Sequence, residues 1–288
     1  MAQPSPLHSS EKDWRLPAQP KILAKIESLA RQANLNINGL ATLVAQDVGL
    51  SALLLNSVNS AYFGREERIG SIEHAIALLG LEQTLNIART ESLRRVGGGD
   101  THALAQRRIS ERSREIGTLC AIIAAECFDE EQIPSERACM IGQFHDCGIA
   151  VLMRDYPNYC ASLDDPENEL WPDLGEEDRI NQTDHAMVGC LLAENWELPD
   201  SVCQAIRHHH RIRQASGESG ALVAILQMAM HLFNALTGND DREWESNTAD
   251  VLQILEVAPE DAGEFEEDMR EIFRERNARA SQESNGRR

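Results

Sequence analysis

The chain has 288 residues, 42% of them hydrophobic and 26% charged, enough to enclose a sizeable core as one large domain or two small ones. Aromatic residues make up only 5%, which favours helix, because strand-rich folds draw on aromatic and β-branched side chains. A formal charge of −20 argues against a nucleic-acid binder or a peripheral protein of anionic membranes, since like charges repel, and points to a protein partner or a small ligand.

The N-terminal segment MAQPSPLHSSEKDW is polar and has no apolar stretch of the secretory kind, so residues 1–15 are expected to be a flexible tail. A helical period begins at Leu16, with Ile22, Leu23, Ile26, Leu29 and Ala30 on one face. Two short helices follow, the first facing inward with Leu40, Leu43 and Val44, the second with Leu50, Leu53, Leu54 and Val58; Gly64 stops the second. Within NSAYFGREERIG, Phe63 is expected to close the core, while an exposed Tyr62 would suit a partner-binding patch. In SIEHAIALLG, Ser71 can cap the first turn and Gly80 can end the helix. A further helix runs to about Arg95, with Leu85, Ala88 and Ser92 along one stripe. The glycine run VGGGDT at 96–101 then divides an N-terminal helical subdomain, 16–96, from a second one, 97–237.

Beyond the break, Ile109, Ile116, Cys120, Ile123 and Cys127 mark a long helix, and Ala138, Ile141, His145, Gly148 and Leu152 mark another. Residues 164–184 carry nine acidic side chains and one basic one, which reads as a solvated loop. Two helical segments, TDHAMVGCLLAENWELP and DSVCQAIRHHH, precede the apolar stretch ALVAILQMAMHLFNAL at 221–236. At about four residues short of the ~20 needed to cross a bilayer, that stretch is expected to be a core helix. Residues 238–288 are expected to be an acidic helical segment ending in a frayed tail, SQESNGRR. No stretch alternates convincingly, so the fold is expected to be all-α. Seven cysteines, at 120, 127, 139, 147, 160, 190 and 203, form no C-x-x-C pair. Together with the absent leader they point to a reducing, cytoplasmic location.

One stretch does not fit simple packing. GQFHDCGIAVL, 142–152, sets His145 and Asp146 inside an apolar run. His185 shares a face with Gly189, Leu192 and Trp196, and His209 continues the stripe of Val202 and Ile206, with His208 beside it. If these helices pack together, His145, Asp146, His185 and one of His208 or His209 converge, a ligand set suited to a divalent transition metal that activates water. A lone inward histidine is more often a hydrogen-bonded core residue, and a triple histidine at a helix end also complements the negative end of the helix dipole.

In order and spacing, GQFHDCG, DHAMVGCLLAENWELP and AIRHH, preceded by LPAQPKILAKIESLA, LATLVAQDVGLSALLLNSVNSAYFG and SIEHAIALLG, resemble the HDOD domain, a divergent branch of the HD phosphohydrolase superfamily. The resemblance runs from about Leu16 to His210. It implies an N-terminal helical subdomain packed on an HD-like helical core, and a bacterial regulatory role without the hydrolase activity of HD relatives. Carried over residue by residue, it puts Arg112 where active HD enzymes have their first histidine ligand and Met230 where they have their last aspartate. A guanidinium cannot ligate a metal, and a thioether is a poor substitute for a carboxylate. His145, Asp146, His185, His208 and His209 are then remnants, with Arg112 paired to Asp146, and no metal or other cofactor is expected.

The leading expectation is therefore a non-catalytic module that acts by association with a protein, a second copy of the chain included, or with a small signalling molecule. A metal-dependent phosphohydrolase working from the reduced His/Asp site is one alternative. A nucleotide or cyclic-dinucleotide receptor is another, resting on the basic cluster RHHHRIR at 207–213; no P-loop or G-x-G-x-x-G motif accompanies it.

Overall fold

The computed structural model describes residue 16 and residues 19–32, 36–59, 69–96, 102–156, 158–159, 161–163, 165, 183–239, 241 and 243–285. Among them are twelve α-helices, one 3-10 turn and no strand. The first four helices are α1 (Lys21–Ala30), α2 (Ile37–Ala45), α3 (Val48–Val58) and α4 (Ile72–Val96). Then come α5 (Ala103–Cys127), α6 (Ser135–Phe144), α7 (Cys147–Asp155), α8 (His185–Asn195) and α9 (Asp200–His208). The 3-10 turn Ile212–Gln214, α10 (Gly217–Thr237), α11 (Trp244–Ile254) and α12 (Ala262–Asn285) complete the chain. Tyr62, Phe63, Gly64, Cys160 and most of the glycine-rich break lie outside the described residues.

The caps that start several helices are local. Asn36, Asp47 and Ser71 accept the backbone N–H three residues on, at 3.1, 3.1 and 3.2 Å, which satisfies donors that a helix start leaves free. Gly80 ends the first helical run of α4, as expected. It adopts φ +77°, ψ 172°, open to glycine at little cost, and the chain turns there into a second helical run to Val96. Burial then packs the first helices together: Leu23, Ile26, Leu40, Val44, Leu50, Leu54 and Val58 are all buried. Leu53 instead remains 39% exposed, because α3 packs with a narrower face than its apolar sequence suggests. Two ion pairs fix the helices further. Glu27 of α1 meets Arg89 of α4 at 2.9 Å, both buried, and Asp47 at the start of α3 accepts two hydrogen bonds from Arg95 at 2.6 and 2.8 Å. Arg95 thereby holds the Asp47 carboxyl down at about 2.

In the second half α10 is the central helix. Residues Gly220 through Ala229, Leu232 and Phe233 are buried, packed against α5, α6, α9 and α11. It is the one described helix long and apolar enough to cross a membrane, and it is spent on the core. Contacts between α4 and both α6 and α7 join the two halves, with α1 also linked through the Arg31–Glu197 ion pair. The C-terminal segment is more ordered than its composition suggests. α12 runs to Asn285 and buries Met269 and Phe273, so part of the stretch expected to fray is helix.

A charged clamp holds that segment. His231 of α10 stacks on Trp244 of α11 with ring centres 3.9 Å apart. Its Nδ1 lies 2.7 Å from Asp241, and its Nε2 lies 3.6 Å from Glu266 of α12. Burial alone would lower the pKa of this imidazole, but the two carboxylates outweigh it and raise it to about 9. Because the folded value lies above the ordinary 6.5, the clamp stabilises fully below pH 6.5 and is lost as pH rises towards 9. Thermal melts from pH 6 to 9.5 should show a fall in wild-type stability that His231→Gln lacks, a difference of roughly 2–3 kcal/mol across the window. Parallel curves for the two proteins would show that the clamp carries no such energy.

Candidate functional site

The apolar run around His145 does not form one helix. The chain turns between α6 and α7, with Asp146 at φ −95°, ψ 14°. The turn serves the site, because the Asp146 carboxylate makes no capping bond to α7 and is left to face its neighbours. His145, fully buried, donates from Nδ1 to the Gly142 carbonyl at 2.8 Å. A carbonyl can only accept, so Nε2 of the neutral ring is the acceptor.

Two close helix crossings set these residues in place. A Cβ on Gly142 would lie 2.5 Å from the Gly117 Cα of α5, and one on Gly148 would lie 2.0 Å from the His185 carbonyl oxygen of α8. Backbones therefore touch where α6 meets α5 and where α7 meets α8. Arg112, on α5, then reaches the turn. Its Nη1 lies 2.7 Å from Asp146 Oδ2 and 3.0 Å from His145 Nε2. The two N–H bonds of one guanidinium nitrogen serve both acceptors, which lie 3.0 Å apart, and the Phe233 ring sits 6.0 Å beneath the guanidinium. Burial alone would raise the Asp146 carboxyl; the groups around it, the Arg112 guanidinium among them, hold it well below the usual carboxylate range.

The other side of Asp146 meets three histidines. Asp184 caps α8, accepting from the Met187 N–H at 2.6 Å, and is buried beside Arg207 and Arg211 at 3.8 and 3.7 Å. The last residue of the acidic stretch is thus a buried anchor between α8 and α9, not part of a solvated loop. It sets His185 at the first position of α8, with Nε2 3.5 Å from Asp146 Oδ1. α9 ends at His208. In the turn after it, His209 donates from Nδ1 to the Ile206 carbonyl at 2.7 Å, and its own carbonyl accepts from Gln227 Nε2 at 2.7 Å. His209 Nε2 stands 3.4 Å from His185 Nε2 and 3.9 Å from Asp146 Oδ1. His210 Nε2 lies 3.0 Å from His185 Nε2, while its Nδ1 meets the Glu243 carboxylate at 2.7 and 2.9 Å. Burial and neighbouring imidazoles push His209 and His210 well below the ordinary histidine value, so both rings are neutral at neutral pH.

Of the residues expected from sequence, His145, Asp146, His185, His209 and Arg112 meet here. His208 does not: its Nδ1 is buried without a hydrogen-bond partner, and its neighbours are Arg207, Arg211 and Gln214. Helical periodicity left His208 and His209 as alternatives, because it could not see that the helix stops at His208 and that the turn swings both later rings to one side. His210 and Glu243 were missed. Glu243 lies 33 residues beyond His210, and no local pattern marks it. Met230 sits between Gln227 and Phe233 on α10, the two residues of that helix seen to touch the site, and packs against the core. The basic cluster at 207–213 is neutralised within the fold, since Arg207 and Arg211 flank Asp184 and Arg213 bonds Asp250 at 2.7 Å.

Residues 16–212 match the HDOD domain family. The chain belongs to that family. A curated relative, an uncharacterized protein of Treponema pallidum (strain Nichols), is 26% identical over 246 residues; the match covers 85% of this chain but 47% of the relative, so the chain spans about half that protein's length. Among solved structures, an HDOD domain protein of unknown function from Geobacter sulfurreducens aligns over 83% of this chain and 92% of its own, with TM-score 0.58 and 21% identity. A Shewanella amazonensis SB2B protein named provisionally as a phosphohydrolase aligns over 92% and 95%, with TM-score 0.64 and 20% identity. A Marinobacter aquaeolei VT8 protein named provisionally as a signal transduction protein aligns over 93% and 60%, with TM-score 0.67 and 20% identity. The fold is therefore all-helical and HD-like. In this HDOD domain, the residues that close the histidine cluster from α10 and α11 lie beyond the matched region.

The HD fold implies a divalent metal at the His–Asp pair, and the residues here do not fit one at that place. The His145 Nε2 and Asp146 Oδ2 atoms that would face it already accept from Arg112.

Proposed function

We propose that this HDOD domain is a non-catalytic regulatory module of bacterial signal transduction, acting in the cytoplasm by binding a protein or a small ligand. One observation carries the reading: the Arg112 guanidinium is seated on His145 and Asp146, the pair from which an HD hydrolase works. Hydrolysis needs a metal that lowers the pKa of bound water and polarises the phosphoryl group. A divalent ion about 4 Å from the guanidinium would be repelled by roughly 8 kcal/mol at an effective dielectric near 20. Arg112 is nine-tenths buried and hydrogen-bonded twice, so it is not free to swing away. A small cleft reaches Asp146 between α4, α5 and α7, lined by Thr90, Ser110, Ser113, Gln143 and Met153 among others. Its wall is almost wholly apolar, with Leu93, Ile109, Ala150 and Met153 in it, and does not suit a phosphate.

The test is an assay of the full chain with Mn2+, Fe2+, Mg2+ or Ni2+ against bis-p-nitrophenyl phosphate, cyclic mononucleotides and cyclic dinucleotides. The expected rate is that of buffer with metal. Turnover that disappears in both His145→Ala and Asp146→Ala would promote the hydrolase reading and end this one.

A further inference from the structure

We propose that the outward face of α3, with the adjoining exposed positions of α2, is a self-association surface whose occupant is a second copy of this chain. The inference deepens the regulatory reading by naming one partner, and rests on that reading only for the use to which association is put.

Exposure sets the face apart. Ile37, Val48 and Leu53 are the exposed large hydrophobic side chains among the described residues, at 39%, 82% and 39%, and all three lie on α2 and α3. Successive residues of a helix are turned by about 100°. Leu50, Leu54 and Val58 therefore fall on one side of α3, the side that is buried. Val48, Gly49, Ala52, Leu53 and Asn56, all exposed, fill a continuous arc of about 140° opposite them. A helix without a charged face is normally enclosed on all sides. Within the described residues the fold covers only one side of this one.

Charge selects the partner. Neither INGLATLVA of α2 nor VGLSALLLNSV of α3 contains a charged residue, in a chain that is 26% charged. Asp47, between them, is bonded to Arg95 at the rim. Every exposed side chain from Asn36 to Val58 is uncharged. Two copies of a chain of net charge −20 repel in most orientations and approach closely only where the local charge is nil. A two-fold axis sharpens the requirement, because a charge near it meets its own like. A partner of opposite charge would be held more strongly by the acidic remainder of the surface. Apolar, charge-poor faces are also more typical of homodimers than of complexes between different proteins. Asn56 lies near the middle of the arc, and an amide, which carries both donors and an acceptor, can pair with its own copy.

Size sets the strength. α3, with 11 residues, is about 16 Å long. With the edge of α2 about 9 Å away, the face offers on the order of 400 Å2 to a copy, about half the ~800 Å2 per partner of a standard interface. The dimer is therefore reversible, and forms where the chain is concentrated.

The experiment is sedimentation equilibrium of the full chain from about 10 to 500 μM, in about 0.05 and 0.5 M NaCl. A monomer–dimer equilibrium is expected that tightens several-fold at the higher salt, since screening weakens repulsion between the acidic copies. Val48→Glu and Leu53→Glu should each weaken it by at least about tenfold, because each sets like charges against one another across the axis. Gln253→Glu adds the same charge at an exposed position of α11 and should match wild type within about twofold. Circular dichroism checks that each variant is folded. The proposal is overturned if the chain is monomeric throughout, if association weakens as salt is added, or if folded Val48→Glu and Leu53→Glu both associate like wild type. Binding of lipid vesicles by a monomeric chain, lost in Val48→Glu, would assign the face to a membrane and equally overturn it. A monomeric chain without phosphodiester turnover would leave the regulatory reading standing; turnover by a dimer that Val48→Glu dissociates would sink that reading and leave the surface.

Discussion

Gly148→Ala is expected to be more damaging than any conservative change in the apolar core. The added Cβ would stand 2.0 Å from the His185 carbonyl oxygen and 2.6 Å from the Gly189 nitrogen. Both are backbone atoms of α8, so no rotamer change relieves the clash. α7 and α8 must separate by about 1 Å, the difference between 2.0 Å and the 3.0 Å below which something has to shift. Tight cores resist such movement, and ordinary overpacking already costs about 1–3 kcal/mol. We expect a loss above about 3 kcal/mol and a fall in melting temperature on the order of 10 °C, measured by calorimetry. Gly70→Ala is the internal control: a Cβ there meets nothing within 4 Å. Equal melting temperatures for the two variants would show that the α7–α8 crossing is not as tight as described.

The second large effect is expected from Arg112→Met. It leaves a carboxylate buried at Asp146, only 7% exposed, without its strongest partner. Removing one member of a buried pair typically costs about 3–5 kcal/mol, because the remaining charge stays desolvated. Arg112→Lys should recover part of this, since one ammonium supplies a charge but not the same planar fork to two acceptors. The pH dependence identifies the cause. Asp146 is held below its ordinary value of 3.8, so its contribution is present above that pH and is lost as pH falls through the lower folded value. In the methionine variant the carboxyl protonates more readily. The gap between wild type and variant should therefore be widest near neutrality and should narrow in acid below about pH 4. A gap that stays constant down to pH 3 would mean that packing, not charge, is what Arg112 provides.

Much of this architecture was legible in the residues. Ser71 and the apolar period marked out helices because caps and spacing are local properties. The HD-like order of GQFHDCG, DHAMVGC and AIRHH led to His145, Asp146, His185 and one of His208 or His209, and placed Arg112 beside Asp146. What periodicity could not see were breaks inside apolar runs. The His145–Asp146 turn continues an apparently helical pattern, and His208 was favoured as much as His209 because the stripe of α9 was extended past its end. Gly80 was legible too: the helical run from Ile72 breaks there, at a positive φ that glycine adopts readily.

By itself, the sequence determined the helical class, the family and four of the side chains that meet at the site, since each follows from short-range pattern or ordered motifs. Only the tertiary structure decided how they are divided. It gave Oδ2 of Asp146 to Arg112 and turned Oδ1 towards His185 and His209. It also brought in His210 and, from a connection 33 residues away, Glu243. The reason is physical. Which lone pair faces which proton depends on backbone approach at Gly117, Gly142, Gly148 and Gly189 to within an ångström, and such distances between separate helices leave no periodic trace along the chain.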